Sequence, residues 1–461
     1  MANDYRLERD TKLDRVEHDT MGEMRVPSDA LYGAQTQRAV DNFPISGLRF
    51  PRAFIRALGL IKSAAARVNG RIGQLPPELA ASIAKASDQV AAGDHDDQFV
   101  VDIFQTGSGT STNMNANEVI GHLAGAHPND DVNRGQSSND VIPSAIHISA
   151  AMLAHEDLLP AMAELAAALS KKASEFAGIV KMGRTHLQDA VPMLFGQEFS
   201  GYAAQVEQSA ARVRAALQGI YELPLGGTAI GTGLNAVPGF APAVIADVAA
   251  RTGLPFREAS NHFEAQAAKD AVSFLSGALK TYAVALTKIA NDIRWLGSGP
   301  RSGLGELRLP ETQPGSSIMP GKVNPVIAES LLMACAQVIG YDAAITWCCA
   351  AGNFELNVMM PVMAYDLLES IALLAAVSRN FSRRAVEGLQ ADRERASAFV
   401  EQSLAMCTVL APVIGYEKAA AIAKEAYRSG RTVRDVARES SGIPEEHLNQ
   451  LLNPRRQTGP G

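Results

Sequence analysis

Apolar side chains recur with the spacing of one helix face over long stretches of this sequence, and no other feature constrains its fold as strongly. One series stands at Leu158, Met162, Leu165 and Leu169. A longer series with the same period stands at Leu275, Leu279, Tyr282, Leu286, Ile289 and Ile293. This period is that of an amphipathic α-helix, whose apolar face has to be covered by another element.

Alanine fills many of the positions between these side chains, as in AMAELAAALSKKA, and alanine is the strongest helix former. Some segments, such as ESIALLAAVSRNF near residue 370, are apolar on more than one face. Helices of that kind are typical of a bundle or an oligomer core. Alternating strand patterns are scarce, so the sequence predicts an all-α protein with a central bundle of long helices.

Polar stretches rich in Gly and Ser interrupt the helical pattern. They cover residues 105–115, 134–140, 225–233, 296–303 and 313–322. Functional groups concentrate on loops held by rigid elements, so these stretches are the first place to look for a site.

The length of 461 residues predicts about three domains. We expect an N-terminal helical domain at 1–134 that carries a substrate loop, a central long-helix domain at 135–389, and a small C-terminal helical domain at 390–461. The last of these is more charged than the rest of the chain.

Charge and cysteine usage narrow the class of partner and the compartment. The 42 Lys+Arg and 49 Asp+Glu give a net charge of −7, which argues against a nucleic acid or an anionic membrane as partner. No apolar run approaches the ~18 residues of a membrane span, and the charged start of the chain lacks the apolar core of a signal peptide. The four cysteines form no CxxC pair, so we expect free thiols, no metal, and a cytoplasmic protein.

The Gly-rich loops match no nucleotide-binding motif. Between Gly315 and Gly321 five residues intervene where a P-loop has four, and Val323 follows Lys322 in place of Ser or Thr. The loop at 225–233 follows no strand pattern. What the loops share is hydroxyl and amide side chains, which bind carboxylates by hydrogen bonding, although each one alone also fits a helix cap or a turn. They are Ser108, Thr110, Ser137, Ser138, Asn139, Thr185, Ser316, Ser317 and Asn324.

Five sequence motifs in and around these polar loops together resemble the fumarase/aspartase superfamily, and within it the class II fumarases. They are TGSGTSTNMNANEVI, HPNDDVNRGQSSND, GRTHLQDAVP, LPLGGTAIGTGLN and GSSIMPGKVNP, in family order over almost the whole chain. The resemblance implies a homotetramer around a core of about twenty helices, five from each subunit. It also implies active sites that are each shared by three subunits, a small dicarboxylate substrate and no cofactor.

The resemblance further implies reversible hydration of fumarate to (S)-malate and a role for each matching residue. Ser316 matches the base that removes the proton, and His186, oriented by Glu329, matches the group that activates or protonates water. Lys322 and Asn324 match the groups that hold the substrate carboxylate. The other substrate-binding positions are Ser108, Gly109, Thr110, Ser137, Ser138, Asn139, Thr185, Ser317 and Val323.

A second dicarboxylate site, which is not catalytic, is implied at His127, Pro128, Asn129 and Asp130. Two departures from the family pattern weigh against it: the segment before His127 is short, and Ala124 stands where a basic residue is expected. The acid–His–acid sequence DHDD at 94–97 is matched in the family by structural residues, so we expect no metal there.

Two other functions stay open on the sequence alone. Aspartate ammonia-lyase shares the scaffold, but Ser108 and Ser138 favour the hydratase because aspartases usually carry Ala and Thr at these positions. A lyase acting on another substituted succinate is a smaller alternative. A non-catalytic helical scaffold is disfavoured because every catalytic position that the resemblance implies is filled.

Overall fold

The computed structural model describes residues 14–459, so most of the charged N-terminal segment and the last two residues lie outside the described part. The strands are β1 (Asp14–Asp19), β2 (Gly22–Pro27), β3 (Val180–Thr185), β4 (Gln188–Leu194), β5 (Glu222–Leu223), β6 (Arg257–Glu258), β7 (Leu307–Arg308), β8 (Gly352–Asn353), β9 (Leu356–Asn357) and β10 (Gln390–Ala391).

The helices make up most of the chain. They are α1 (Ala34–Asn42), α2 (Arg52–Arg71), α3 (Pro77–Ala92), α4 (Thr110–Ala124), α5 (Ser138–Leu153), α6 (Leu159–Glu175), α7 (Phe195–Ile220), α8 (Phe240–Thr252), α9 (His262–Ala267), α10 (Asp270–Leu296), α11 (Val326–Ala350), α12 (Met360–Arg384), α13 (Arg393–Gln402), α14 (Ala411–Ile414), α15 (Tyr416–Ser429), α16 (Val433–Ser440) and α17 (Glu445–Leu451).

The predicted helical class is confirmed, with one addition. Within residues 14–459 the strands form five two-stranded sheets, four of them antiparallel and one, β5 with β6, parallel. Most of these strands are only two residues long, which is too short to leave an alternating pattern in the sequence. The exception that bears on function is the β3–β4 hairpin described below.

Contacts between Cα atoms divide the chain into two compact units. The first comprises residues up to 159, 211–281 and 337–374, and the second comprises 160–210, 282–336 and 375 onwards. The long helices α6, α7, α10, α11 and α12 contribute residues to both units. The three sequence-based domains, with boundaries at 134/135 and 389/390, therefore stay a prediction.

In the first unit, α2 is the most deeply packed helix of the N-terminal part. Its side chains Phe54, Leu58 and Ile61 are fully buried. Gly59 allows α3 to approach closely, because a Cβ built there would lie 2.6 Å from the backbone nitrogen of Ala91. α5, whose first residues include several predicted site residues, also packs on α2.

In the second unit, the C-terminal helices have a hydrophobic cluster of their own. It joins side chains from α13, α15, α16 and α17, among them Val400, Ile422, Val436 and Leu448, with Met182 of β3. α13 packs directly on β3. The C-terminal segment thereby supports the hairpin that carries His186.

The prediction that no segment is apolar enough to span a membrane is wrong for two helices. Residues 326–350 and 360–388 are long and apolar enough by length and composition alone, and the bent pair 393–402 with 404–414 would be a third. About a third of the most apolar window of α11 is buried within the chain. The reason is the multi-face apolar character noted above, which leaves Met333 and Trp347 exposed.

All four cysteines are free. Cys335 and Cys348 are buried, while Cys349 and Cys407 are partly exposed. Burial raises the pKa of Cys349 to about 12, so this thiol stays protonated at neutral pH and is a poor nucleophile.

Candidate active site

Three predicted substrate-binding hydroxyls form one hydrogen-bonded chain in the first unit. The Ser108 and Thr110 hydroxyl oxygens lie 2.7 Å apart, and those of Thr110 and Ser138 also lie 2.7 Å apart. Ser108 is 8% exposed. The structure therefore brings together two loops that are far apart in sequence, 105–111 and 134–140, through groups that can each donate or accept.

Two glycines allow the first of these loops to adopt its path. Gly109 is the N-cap of α4 and has φ of +74°, a left-handed conformation that suits glycine. A Cβ on Gly107 would lie 1.7 Å from the carbonyl oxygen of Val358, so only glycine fits there. The carbonyl oxygen of Gly107 accepts a hydrogen bond from the Met360 N–H at 3.0 Å. The loop that carries Ser108 is thus fixed against the start of α12.

The second loop ends in the N-terminal cap of α5. Ser137 is the N-cap, and its hydroxyl accepts a hydrogen bond from Asn139 N–H at 3.2 Å. The Asn139 side chain donates to the carbonyl oxygen of Ala229 at 2.8 Å. This contact brings the Gly-rich turn 226–229 up to the predicted substrate segment 137–139.

Asp140 is a residue of this region that sequence reasoning missed. It is fully buried, and its carboxylate accepts three backbone hydrogen bonds: from Ser137 at 2.9 Å, Gly226 at 2.9 Å and Thr228 at 3.0 Å. Burial raises the pKa of Asp140 to about 6, while these hydrogen bonds act in the opposite direction. The spacing of a capping box, Ser137 followed three residues later by Asp140, was the available signal.

Lys62 is the second missed residue. Its ammonium is fully buried and donates to the side-chain oxygens of Asn133 at 3.1 Å and Gln136 at 2.9 Å. Burial lowers its pKa to about 7, and Asp140 acts in the opposite direction. No sequence signal pointed to Lys62, because it lies in a helix more than seventy residues before its partners.

In the second unit, His186 lies at the tip of the β3–β4 hairpin. The two-residue turn consists of His186 and Leu187, whose φ values of +56° and +58° are unusual for residues other than glycine. His186 is exposed, as is Thr185 at the end of β3. The hairpin thus presents a histidine on a turn that is held in one uncommon conformation.

Buried ion pairs hold the base of this hairpin. Lys181 donates to Glu198 at 3.0 Å, and Arg184 donates to Glu306 at 2.5 Å. Lys181 is 1% exposed and Glu306 is fully buried. Burial raises the pKa of Glu306, and the neighbouring cations Lys181 and Arg184 act in the opposite direction.

The serine loop at 315–324 is closed by its own hydrogen bonds. Gly315 N–H donates to the carbonyl oxygen of Lys322 at 2.9 Å, and the Asn324 side chain donates to that of Gly315 at 2.6 Å. The Ser316 hydroxyl oxygen accepts two backbone hydrogen bonds, from Ile318 at 3.2 Å and Met319 at 3.0 Å. Two N–H groups thus converge on the predicted base.

The end of this loop opens on a cavity of about 1000 Å³ in the second unit. Four predicted site residues line it: Lys322, Val323, Asn324 and Glu329. Its wall carries five cations against three carboxylates, an excess of positive charge that suits an anion. The cations are Arg294, Arg301, Arg308, Lys322 and Arg395, and the carboxylates are Glu311, Glu329 and Asp392.

His186 lines a neighbouring cavity of about 770 Å³, together with Lys181 and Arg184. Arg301 and Arg395 line both cavities. In the described range 14–459, no hydrogen bond joins His186 to Glu329 or to Ser316 of the same chain. Ser317 and Lys322 are exposed.

The HPND segment forms the start of a single π-helical turn, Pro128–Val132. His127 Nδ1 accepts the Asp130 N–H at 3.0 Å, and the side chains of His127 and Asp130 are 58% and 79% exposed. The Nδ1 atom of His127 is thus already engaged in a hydrogen bond within its own turn. Ligand binding at His127, Pro128, Asn129 and Asp130 stays a prediction.

Among residues 14–459, no group of three or more His, Cys, Asp or Glu side chains has the arrangement of a metal site. In the DHDD sequence, Asp96 pairs with Arg52 at 3.1 Å.

Known proteins match this chain in both sequence and fold. The family described as "Lyase" matches residues 22–340, and "Fumarase C C-terminus" matches residues 406–459. "Fumarate hydratase class II" of Mycobacterium tuberculosis (strain CDC 1551 / Oshkosh) is 56% identical over 92% of this chain and 90% of its own. "Fumarate hydratase class II 1" of Pseudomonas aeruginosa PAO1 is 51% identical over 97% and 99%.

The crystal structure of class II fumarase from Schistosoma mansoni superposes with a TM-score of 0.94 at 39% identity, over 96% of this chain and 98% of that one. Its long helices match those described above. The chain therefore belongs to the class II fumarate hydratase family of hydro-lyases.

Proposed function

We propose that this protein catalyses the reversible hydration of fumarate to (S)-malate by anti addition of water. Family membership supports the reaction, and one observation on this chain carries the mechanism. The Ser316 hydroxyl oxygen, on the loop that ends at Lys322 and Asn324, accepts two backbone hydrogen bonds. A hydroxyl held in this way is suited to bear negative charge.

The difficult step is the formation of charge on a carboxylate. When malate loses a proton from the carbon beside one carboxylate, that carboxylate becomes an aci-carboxylate dianion. Lys322 and Asn324 are the groups that would hold it, with hydroxyl and amide donors from Ser137, Ser138, Asn139 and Thr185. Donors already in place when the charge develops lower the barrier more than they lower the energy of the ground state.

Ser316 is the proposed base. An ordinary serine hydroxyl is too weak an acid to supply an alkoxide at neutral pH, so its environment has to stabilise the anion. The N–H groups of Ile318 and Met319 and the positive charge of Lys322 are the available stabilisers. The Lys322 N–H is not one of them, because it donates to the carbonyl oxygen of Met319 at 3.3 Å.

His186 is the proposed partner for the water molecule. In dehydration, a water molecule held by protonated His186 gives a proton to the departing hydroxide and takes one from the imidazolium. In hydration the same transfers run in reverse, and neutral His186 takes up the proton as the attacking water is activated. An imidazole suits both roles near neutral pH. Glu329 would orient the imidazole. Since these two residues do not meet within one chain, Glu329 would come from another copy.

We also propose the homotetramer with active sites shared by three subunits, and a cytoplasmic location. Support for assembly comes from apolar side chains with no cover in the chain itself: Trp347 is 79% exposed, Met333 69% and Phe274 62%. Exposed apolar surface of this extent on long helices is typical of an interface between copies.

The direct test is an absorbance assay of fumarate formation from (S)-malate by the purified protein, run beside (S)-aspartate. We expect turnover with malate and none above background with aspartate. Fumarate released from aspartate but not from malate would replace this proposal with the ammonia-lyase. No fumarate from either would direct attention to other substituted succinates.

A further inference from the structure

A carboxylate and an ammonium group lie directly beneath the proposed substrate segment 137–139, and the mechanism above uses neither. Both Asp140 and Lys62 are fully buried. The geometry points to Asp140 as a positioning residue of the active site: its ionised carboxylate, balanced by Lys62, fixes the substrate segment 137–139 and the Gly-rich turn 226–229 as one unit. This inference rests on the proposed role of that segment.

The carboxylate of Asp140 divides its oxygens between two segments. Oδ1 accepts Ser137 N–H at 2.9 Å, and Oδ2 accepts Gly226 N–H at 2.9 Å and Thr228 N–H at 3.0 Å. The Asn139 side chain closes the ring by donating to Ala229 at 2.8 Å. Asn139 therefore lies between two segments, Ser137 and the turn 226–229, that are both hydrogen-bonded to the same carboxylate.

The turn that Asp140 holds cannot relax easily. Gly226 has φ of +96°, and a Cβ there would lie 2.2 Å from the Cβ of Ala241. Thr228 has φ of +54°, and its carbonyl oxygen accepts a hydrogen bond from Gln266 at 2.9 Å. A conformation of this kind persists only where the surroundings determine it, and the Asp140 carboxylate is one of its supports.

The charge on Asp140 depends on Lys62. An ionised carboxylate in a fully buried place is unfavourable unless hydrogen bonds and an opposite charge compensate for lost water. Lys62 on α2 is the charged group that acts on Asp140, and the 226–229 turn and Ser137 contribute backbone N–H groups. In return, Asp140 is the charged group that acts on Lys62.

Lys62 is itself held in place by a ring of amides. Asn133 accepts from Lys62 and also from the side chains of Asn113 at 3.2 Å and Asn117 at 3.1 Å, both on α4. Asn133 donates in turn to the carbonyl oxygen of Gln136, directly before the substrate segment. The ammonium thus has a fixed position relative to the segment.

Protonation of Asp140 has a defined consequence. A neutral carboxylic acid is a weaker hydrogen-bond acceptor than a carboxylate, so the three hydrogen bonds from Ser137, Gly226 and Thr228 lose their charge assistance and weaken. The substrate segment then loses its fixed position, and kcat/KM falls as the pH drops through the pKa of Asp140. Removal of the Lys62 charge raises the pKa of Asp140. The acid limb of the pH profile, where kcat/KM falls with decreasing pH, then moves to higher pH.

The first test compares Asp140→Asn with Glu118→Gln. Glu118 is also buried and also accepts three backbone hydrogen bonds, from Gly33, Gln35 and Thr36, but these lie at the start of α1. We expect at least a tenfold lower kcat/KM for Asp140→Asn than for Glu118→Gln at equal tetramer content. Equal kcat/KM values would overturn the inference.

The second test measures the pH profile of kcat/KM in Lys62→Met beside Lys172→Met. Lys172 is a buried lysine of the second unit that donates to Glu175 at 2.7 Å and to Leu389 at 3.0 Å. We expect the acid limb of Lys62→Met to shift upwards by about one pH unit and that of Lys172→Met to stay in place. A merely structural role for Lys62 would lower stability without moving the limb.

Asn139→Ala, measured in the same assay, separates this inference from the proposed function. If Asn139→Ala leaves kcat/KM unchanged, the role of segment 137–139 is wrong and the inference falls with it. If it lowers kcat/KM while Asp140→Asn and Lys62→Met do not, only the inference fails. If Asp140→Asn and Lys62→Met both fail to fold while the controls Glu118→Gln and Lys172→Met fold, Asp140 and Lys62 stabilise the fold rather than position the site. That result would also overturn the inference.

Discussion

At the scale of single residues, the proposed site relies on neutral hydrogen-bond donors more than on charge. Three hydroxyls stand in one chain at 2.7 Å separations, and Ser316 accepts two backbone N–H groups. Lys322 is the one cation among the proposed substrate-binding residues. Such donors have fixed directions, so they favour the geometry of the transition state over that of the ground state.

The Ser316→Ala variant tests the base. We expect it to lose turnover by about 10²–10⁴-fold, because a general base acts in the transition state, while substrate binding changes far less. Steady-state kcat and KM with (S)-malate provide the measurement. Ser429→Ala, at an exposed position near the end of α15, is the control. A Ser316→Ala enzyme with more than about a tenth of normal turnover would remove Ser316 from this role.

The buried His147 gives a prediction for stability against pH. It is 6% exposed, its Nδ1 lies 2.7 Å from the carbonyl oxygen of Glu222, and burial lowers its pKa to about 4. In the unfolded chain a histidine has a pKa of about 6.5. The unfolded state therefore binds the proton first as pH falls, and stability declines between about pH 6.5 and pH 4, by about 3 kcal/mol at most.

Urea unfolding at fixed protein concentration, from pH 7.5 to pH 4.5, measures this loss. In His147→Gln we expect a smaller decline of the unfolding free energy over the same range. His122→Gln, on the exposed side of α4, is the matched control for loss of a histidine. An equal decline in wild type and His147→Gln would contradict the prediction.

At the scale of elements, the site is made of loops fixed by close contacts to helix ends. The loop before α4 lies against the residues before α12 at Gly107, and the cap of α5 lies against the turn 226–229. The hairpin with His186 rests on buried ion pairs and on α13. Rigid elements thus set loop geometry, which a set of flexible loops could not maintain.

Gly107→Ala is the sharpest single test of this scaffolding. Its Cβ would lie 1.7 Å from the Val358 carbonyl oxygen, so the loop or the start of α12 has to move. We expect a loss of more than about 2 kcal/mol in unfolding free energy and at least a tenfold loss of kcat/KM. Gly178→Ala is the control, since nothing lies within 4 Å of a Cβ there. Wild-type activity and stability in Gly107→Ala would contradict the account.

The helices and the polar loops could be predicted from the sequence because both leave local signals. A period of 3.6 marked α6 and α10, and Gly/Ser composition marked the loops. The β3–β4 hairpin was not predicted, because its turn is His186–Leu187 rather than a Gly- or Asn-containing pair. Lys62 was missed because its contacts join residues that are far apart in the chain, and no local pattern reports them. For Asp140 the capping-box spacing from Ser137 was a local signal, but its contacts with Gly226 and Thr228 leave no trace in the local sequence.

At the scale of the whole molecule, the exposed apolar faces are the feature that one chain leaves unexplained. α11 and α12 are apolar enough to be confused with membrane spans, and Trp347 is 79% exposed. Cover by further copies of the chain would bury these faces and bring loops of several copies together. Assembly and activity would then be inseparable.

The resemblance to the class II fumarases gives a prediction for metal dependence. It implies no cofactor, so we expect an iron-independent enzyme. Activity should survive exhaustive chelation and anaerobic iron removal, measured by the malate assay before and after treatment. Activity lost to a chelator and restored by a divalent ion would overturn this expectation and renew interest in the DHDD sequence at 94–97.

The most direct test of the central claim, a site built from several subunits, is complementation between two inactive proteins. His186→Asn and Ser316→Ala are mixed in equal amounts, dissociated and reassembled, and each variant alone passes through the same cycle as control. If these residues come from different chains, about a quarter of the sites, half of a half, regain both residues, and malate dehydration returns. No recovery in a sample that mass measurement proves to contain mixed tetramers would place both residues in one subunit and contradict the account.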